Sequence, residues 1–165
     1  MMDDELQRYR IDQAERWLAK VRKLVSYERA MREAAEVQYE MADGLRGIDY
    51  SRDQVDTSPT ADAIPNAVIA HEEAGETMAA IADSARERIR QAVEAISKIK
   101  DAKEAMCLRL YYVDGMDTWE RVRAAMSYTQ DGMKSLRRRA LLNVYDVMPH
   151  DQRDPIPIAR PKEYD

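Results

Sequence analysis

Residues 118–143 read TWERVRAAMSYTQDGMKSLRRRALLN, and the way this stretch folds decides the architecture of the chain. Thr118–Ala125 has the pattern of a short helix capped by Asp117 or Thr118. Met126-Ser127-Tyr128 interrupts it, and Thr129 opens a longer helix running through Val144. Thr and Asp suit both starts because their side-chain oxygens accept the unpaired amides of a first helical turn. The spacing therefore predicts a helix-turn-helix. Val122 and Met126 would face Met133, Leu136 and Ala140, and the small Ala124 and Ala125 would permit a close, steep crossing. Leu108, Tyr111, Tyr112 and Trp119 would complete a tri-helical core.

With Met133, Leu136 and Ala140 turned inward, helical geometry turns Gln130, Asp131, Lys134, Ser135 and Arg138 outward on the adjoining face. Side chains of this kind read base edges in a major groove. Gln bonds adenine through two hydrogen bonds, and Arg or Lys bonds guanine. Arg137 and Arg139 flank that face at positions suited to phosphates, and Arg121 and Arg123 on the first helix would lie near the backbone it crosses. The expected partner is double-stranded DNA.

Upstream, residues 4–42 contain no Gly or Pro. Trp17, Val21, Leu24, Met31 and Ala35 recur there at spacings of three, four or seven, flanked by Leu18 and Val25, which predicts an amphipathic helix. Gly44 and Gly47 end the pattern, and residues 43–61 read as a loop. A second helix is expected from about Asp62, with Pro65 tolerated in the first turn, and its stripe is Met78, Ile81, Ala85, Ile89, Ala92, Ile96 and Ile99. Two helices of similar length would pair as an antiparallel hairpin. A hairpin this thin cannot bury both stripes alone, so it would also pack on the C-terminal unit or form a homo-oligomer with a second copy. A third helix should run from Asp101 to about Tyr112 and break at Asp114-Gly115. The predicted fold is all-α, with a hairpin over 1–100, a helix-turn-helix unit over 101–148, and an extended or disordered proline-bearing tail over 149–165.

Composition agrees with exposed helices: 35% of residues are charged, and there are five glycines and no phenylalanine. The net charge of −5 is unevenly spread. Residues 118–145 hold six basic groups against Glu120 and Asp131, a net of +4, which leaves −9 for the remainder. A basic end can approach phosphates while an acidic body stays away from them. No run of about 18 apolar residues occurs. The start MMDDELQRYR lacks the basic-then-apolar order of a signal peptide, so the expectation is a soluble, cytoplasmic protein without membrane partners. Cys107, the lone cysteine, reads as a core thiol. His71 and His150 have no second ligand at metal-binding spacing, His71-Glu72-Glu73 is not a zinc-protease motif, and no phosphate-binding glycine loop occurs. The chain is read as a non-enzyme with no cofactor and no metal.

The stretch LRLYYVDGMDTWERVRAAMSYTQDGMKSLRRRALLNVYDVMP resembles the fourth region of sigma-70-type factors. That pattern runs aromatic-x-x-Gly, Ser/Thr-Trp-Glu-x-Val, then a Ser/Thr-capped recognition helix ending in Arg-Ala-Leu. The chain as a whole is similar to small prophage-encoded regulators of the late-gene activator type. Their helical N-terminal part carries a segment like Tyr50-Ser51…Val55…Ser58-Pro59…Asp62, and the similarity covers about residues 5–148. The resemblance implies a sequence-specific transcriptional regulator of phage or prophage origin, acting in a bacterial host and contacting RNA polymerase. Three positions depart from it: Arg123 stands where Ala is usual, Ser127 where Gly is usual, and the loop after Gly115 is one residue longer. A buried Arg123 would be costly unless its head reached solvent. Gly132 within the recognition helix costs about 1 kcal/mol relative to Ala. Two other readings stay open: a packaging-type DNA binder such as a small terminase subunit, and a helical adaptor whose helix-turn-helix binds only protein.

Overall fold

The computed structural model describes residues 2–48 and 63–156, and every regular element among them is helical. Helix α1 is Met2–Arg46, α2 is Ala63–Ser97, α3 is Ala102–Leu108, α4 is Trp119–Ala125 and α5 is Gln130–Val147. A π-helical turn, Arg109–Val113, continues α3, and a 3-10 turn, His150–Gln152, follows α5. The all-α expectation holds. The Tyr50–Asp62 segment used in the resemblance, and most of the expected 43–61 loop, lie outside the described residues.

The chain divides into two compact units, Met1–Lys20 with Ala92–Asp165, and Val21–Gln91. The sequence reading placed the first twenty residues with the hairpin. The structure groups them with the C-terminal helices.

In the Val21–Gln91 unit, α1 and α2 run antiparallel. Arg46 pairs with Glu72, Arg32 with Asp83 at 3.1 Å, and Arg86 with Glu28 at 3.2 Å, so the order along α2 reverses that along α1. Alanines make most of this core: Ala35, Ala42, Ala82 and Ala85 are buried, together with Val21. Tyr39 lies over Gly75 so closely that a Cβ there would stand 2.9 Å from the ring, which is why the helix carries glycine at that point. Ile81, expected in the α2 stripe, is exposed, and Ala82 takes the buried place. Spacings of three and four fit either residue, so only the partner helix selects between them. Helix α1 also runs past Gly44, closing on Gly47 N–H to Asp43 O at 3.1 Å, because a single glycine costs less than the turn it would interrupt.

In the other unit, Ala14, Trp17 and Leu18 of α1 are buried, as are Ile96, Ile99, Cys107, Leu108, Tyr112, Val122, Met133, Leu136, Ala140, Leu141 and Val144. Asp101 caps α3 through bonds from the Lys103 and Glu104 amides. The widened turn after Leu108 is closed by Asp114 N–H to Arg109 O at 2.9 Å. There Tyr111 stacks on Trp119 at 4.3 Å while Tyr112 meets the same ring edge-on at 5.9 Å. Gly115 then reverses the chain at φ +78.

The tail departs from the expectation of disorder or extension over its first part. Gln13, 4% exposed, accepts from Asp154 N–H at 2.8 Å and donates to Asp154 O at 3.1 Å. Tyr9 Oη donates to Pro155 O and Trp17 Nε1 to Gln152 Oε1, each at 2.5 Å. Donors and acceptors more than 130 residues away in sequence thus hold a segment whose own composition predicts no structure.

Candidate nucleic-acid interface

Helices α4 and α5 form where the sequence predicts them, each with its threonine cap. Thr118 accepts from Arg121 N–H at 3.2 Å and Thr129 from Gly132 N–H at 3.1 Å. Ser127 adopts φ 57 in the turn between them. This left-handed conformation is the physical reason glycine suits the position, and serine adopts it at a strain cost. Arg123 explains how the turn tolerates a long cation in place of a small residue. Its Nη1 donates to Tyr128 O at 2.9 Å, capping the turn, and its Nε bonds Glu120 at 3.1 Å. The guanidinium is neither buried nor unpaired, so the expected penalty is absent. Arg123 in turn holds the Glu120 carboxyl below its usual range, chiefly by that hydrogen bond.

On α5, Met133, Leu136 and Ala140 are buried, while Gln130, Asp131, Lys134, Ser135 and Arg138 are exposed on one side. These five span about 12 Å of helix at 1.5 Å per residue. Lys134 has no hydrogen bond or ion pair among the described residues. Arg138 is 54% exposed and sits at the end of this row, its Nη2 3.3 Å from Gln7 Oε1 and 3.5 Å from Asp4 Oδ1 in the first turns of α1. Beyond it the covered side of α5 widens, because Leu141 and Tyr145 are also buried. The five named residues lie in the N-terminal half of the helix, and exposed polar residues continue beyond them at Arg139, Asn143 and Asp146.

Two arginines expected to flank this face are engaged elsewhere. Arg137 is half-buried, ion-paired with Glu15 of α1, and its guanidinium lies over the Trp119 ring at 4.5 Å. Arg139 binds Glu104 of α3 at 3.3 Å. Glu104 is 3% exposed and also accepts from Asn143 Nδ2 at 2.5 Å, so its charge is met by a cation and an amide. Arg121 is exposed and pairs with Asp117 at 2.9 Å, the exposed i,i+4 kind that solvent screens. The sequence reading did not single out Glu104, Glu15, Asp4 or Gln7. Only Glu104 left a trace: it is the one charged member of the row Glu104, Cys107, Leu108, Tyr112 along α3 and its π-helical continuation, all of which are buried.

Burial pushes the Cys107 thiol up to about 12, helped by the Glu104 charge, and also pushes the Tyr112 hydroxyl up to about 12. The thiol donates to Glu104 O at 3.2 Å and serves as core. Among the described residues no group of three or more His, Cys, Asp or Glu is placed to hold a metal, and no helix is long and apolar enough to cross a membrane.

No family model matches this sequence, and neither a curated protein nor a solved structure matches it.

Proposed function

We propose that the chain is a sequence-specific DNA-binding regulator of transcription, of phage or prophage origin, acting in the cytoplasm of a bacterial host with RNA polymerase as its protein partner. The first two turns of α5 enter the major groove. Gln130, Lys134, Ser135 and Arg138 face base edges, Asp131 accepts from a cytosine amino group, and Arg121 meets a phosphate. One observation carries the reading: the exposed polar row from Gln130 to Arg138 lies on a capped helix that follows a tight turn, opposite the buried Met133, Leu136 and Ala140. Arg137 is not counted as a DNA contact because it is half-buried over Trp119, nor is Arg139, which answers the buried Glu104 carboxylate, whereas the Asp4 partner of Arg138 is itself exposed.

The test is selection of bound fragments from random duplexes, followed by titration with Lys134→Ala, Arg138→Ala and the double variant. Each side chain contributing about 1–3 kcal/mol of base discrimination, the double variant should lose affinity at least about thirtyfold and relax specificity at two positions. Unchanged affinity and an unchanged salt slope would remove these residues from the interface.

The adaptor reading draws support from the carboxylates around the arginines, because Asp4, Glu15, Glu104 and Glu120 each lie against one of them. No retardation of any duplex at about 50 mM salt, where phosphate contacts are strongest, would select it.

A further inference from the structure

Within the Val21–Gln91 unit the two long edges of the hairpin differ in chemistry. Along one edge run the ion pairs of Arg32, Arg46 and Arg86 with Asp83, Glu72 and Glu28. About 100° around each helix from its buried row, on the side away from those pairs, runs a row at three-and-four spacing. On α1 it comprises Tyr27, Ala30, Ala34, Val37, Met41 and Gly44. On α2 it runs from Ala67 through Ala70, Ala74 and Thr77 to Ile81 and Ser84. None of these twelve positions is charged in a chain that is 35% charged, where about four would be expected. Tyr27, Val37, Met41 and Ile81 are 47%, 45%, 48% and 37% exposed. Thr77 spends its hydroxyl on Glu73 O of its own helix, so the face makes little polar demand.

We infer that this face is the contact between two copies of the chain, joined with their α1 helices antiparallel about a two-fold axis that passes between Ala34 and Val37. The choice of a second copy rests on the order of side-chain sizes along α1. Reading from Tyr27 to Gly44, the row runs large, small, small, large, large, small. Laid antiparallel against itself, it seats Tyr27 on Gly44 of the other copy, Met41 on Ala30 and Val37 on Ala34. Every large side chain meets a small one, as an isologous interface requires. The small residues of α2 let the second pair of helices close beside the first. The row is about 26 Å long on a hairpin about 20 Å wide, a footprint of about 500 Å² per copy, so the pair reaches the about 1,000 Å² that a specific interface needs. A partner of unrelated sequence has no reason to match this size order.

Sedimentation equilibrium of the full chain tests the inference. A dimer is expected, and Val37→Glu with Met41→Glu should weaken it at least tenfold while helix content and thermal unfolding of the monomer stay unchanged, since both side chains are already exposed. Glu36→Lys, on the charged side, should leave the dimer intact. Tyr27→Cys combined with Gly44→Cys should give a covalent dimer on oxidation, because the antiparallel two-fold arrangement sets those positions opposite each other. A wild-type chain that is still monomeric at about 100 µM overturns the inference, a concentration above the Kd of any ordinary specific dimer. So does a dimer indifferent to Val37→Glu/Met41→Glu, or a cysteine pair that never cross-links.

Discussion

Ser127 shows how one backbone angle records the demands of a turn. A non-glycine residue at φ 57 pays roughly 1–2 kcal/mol for the contact between its Cβ and the following carbonyl. Ser127→Gly should therefore stabilise the fold by up to about 1 kcal/mol after the extra entropy glycine loses, read as a higher denaturation midpoint at constant m. A lower midpoint would mean that the serine hydroxyl supports the turn. Cys107 makes the second residue-scale case. Its thiol rises from an ordinary value of 9.0 to about 12 in the folded chain, so between those limits the unfolded state loses a proton that the folded state keeps. The contribution of this thiol should be flat below pH 9 and should lower stability as pH rises toward 12. Tyr112 adds to the fall from about pH 10. Cys107→Ala should flatten part of this slope in urea titrations at stepped pH, and an unaltered slope would assign it to other groups.

At the scale of the element, α5 divides its arginines by their neighbours. Arg138 lies at the end of the exposed row, whereas Arg139, one residue on, faces a buried carboxylate. Arg139→Ala would leave Glu104 buried with only Asn143 to answer its charge. That should cost about 1–3 kcal/mol of stability with little change in the DNA sequence selected. Adding Glu104→Gln should recover part of the loss, because a neutral amide at that site needs no cation. If Arg139→Ala instead weakened DNA binding without lowering stability, the assignment of Arg139 to the fold would be wrong. The capping and the turn were readable because they are local, with Thr118, Thr129 and the three residues between the helices all within one short stretch. The fates of Arg137 and Arg139 were not, since Glu15 and Glu104 lie 122 and 35 residues away.

For the whole molecule, the decisive feature is that the beginning of the chain belongs with its end. Ala14, Trp17 and Leu18 are fully or nearly buried, and Gln13 and Trp17 bond the segment after α5. A fragment starting at residue 101, the boundary suggested by the change of pattern, would expose the surface that these residues cover. Losing three buried apolar side chains, at roughly 1.5–3 kcal/mol for each larger one, is comparable with the total stability of a small domain. The fragment is expected to show no cooperative thermal transition by circular dichroism, whereas the full chain shows one. A sharp transition in the fragment would show that the helix-turn-helix folds without α1.

From the sequence alone came the all-helical class, the two long helices, the capped pair α4–α5 and the outward polar row of α5, because each depends on contacts within about one turn of helix or on a repeat along one strand of chain. Tertiary structure alone decided which carboxylate each arginine of α5 meets, that Ala82 and not Ile81 enters the core, and that residues 149–156 pack on α1. Each of those outcomes depends on a partner distant in sequence, whose charge, size or hydrogen-bonding group sets the cost of burial, and periodicity does not encode where such a partner comes to rest.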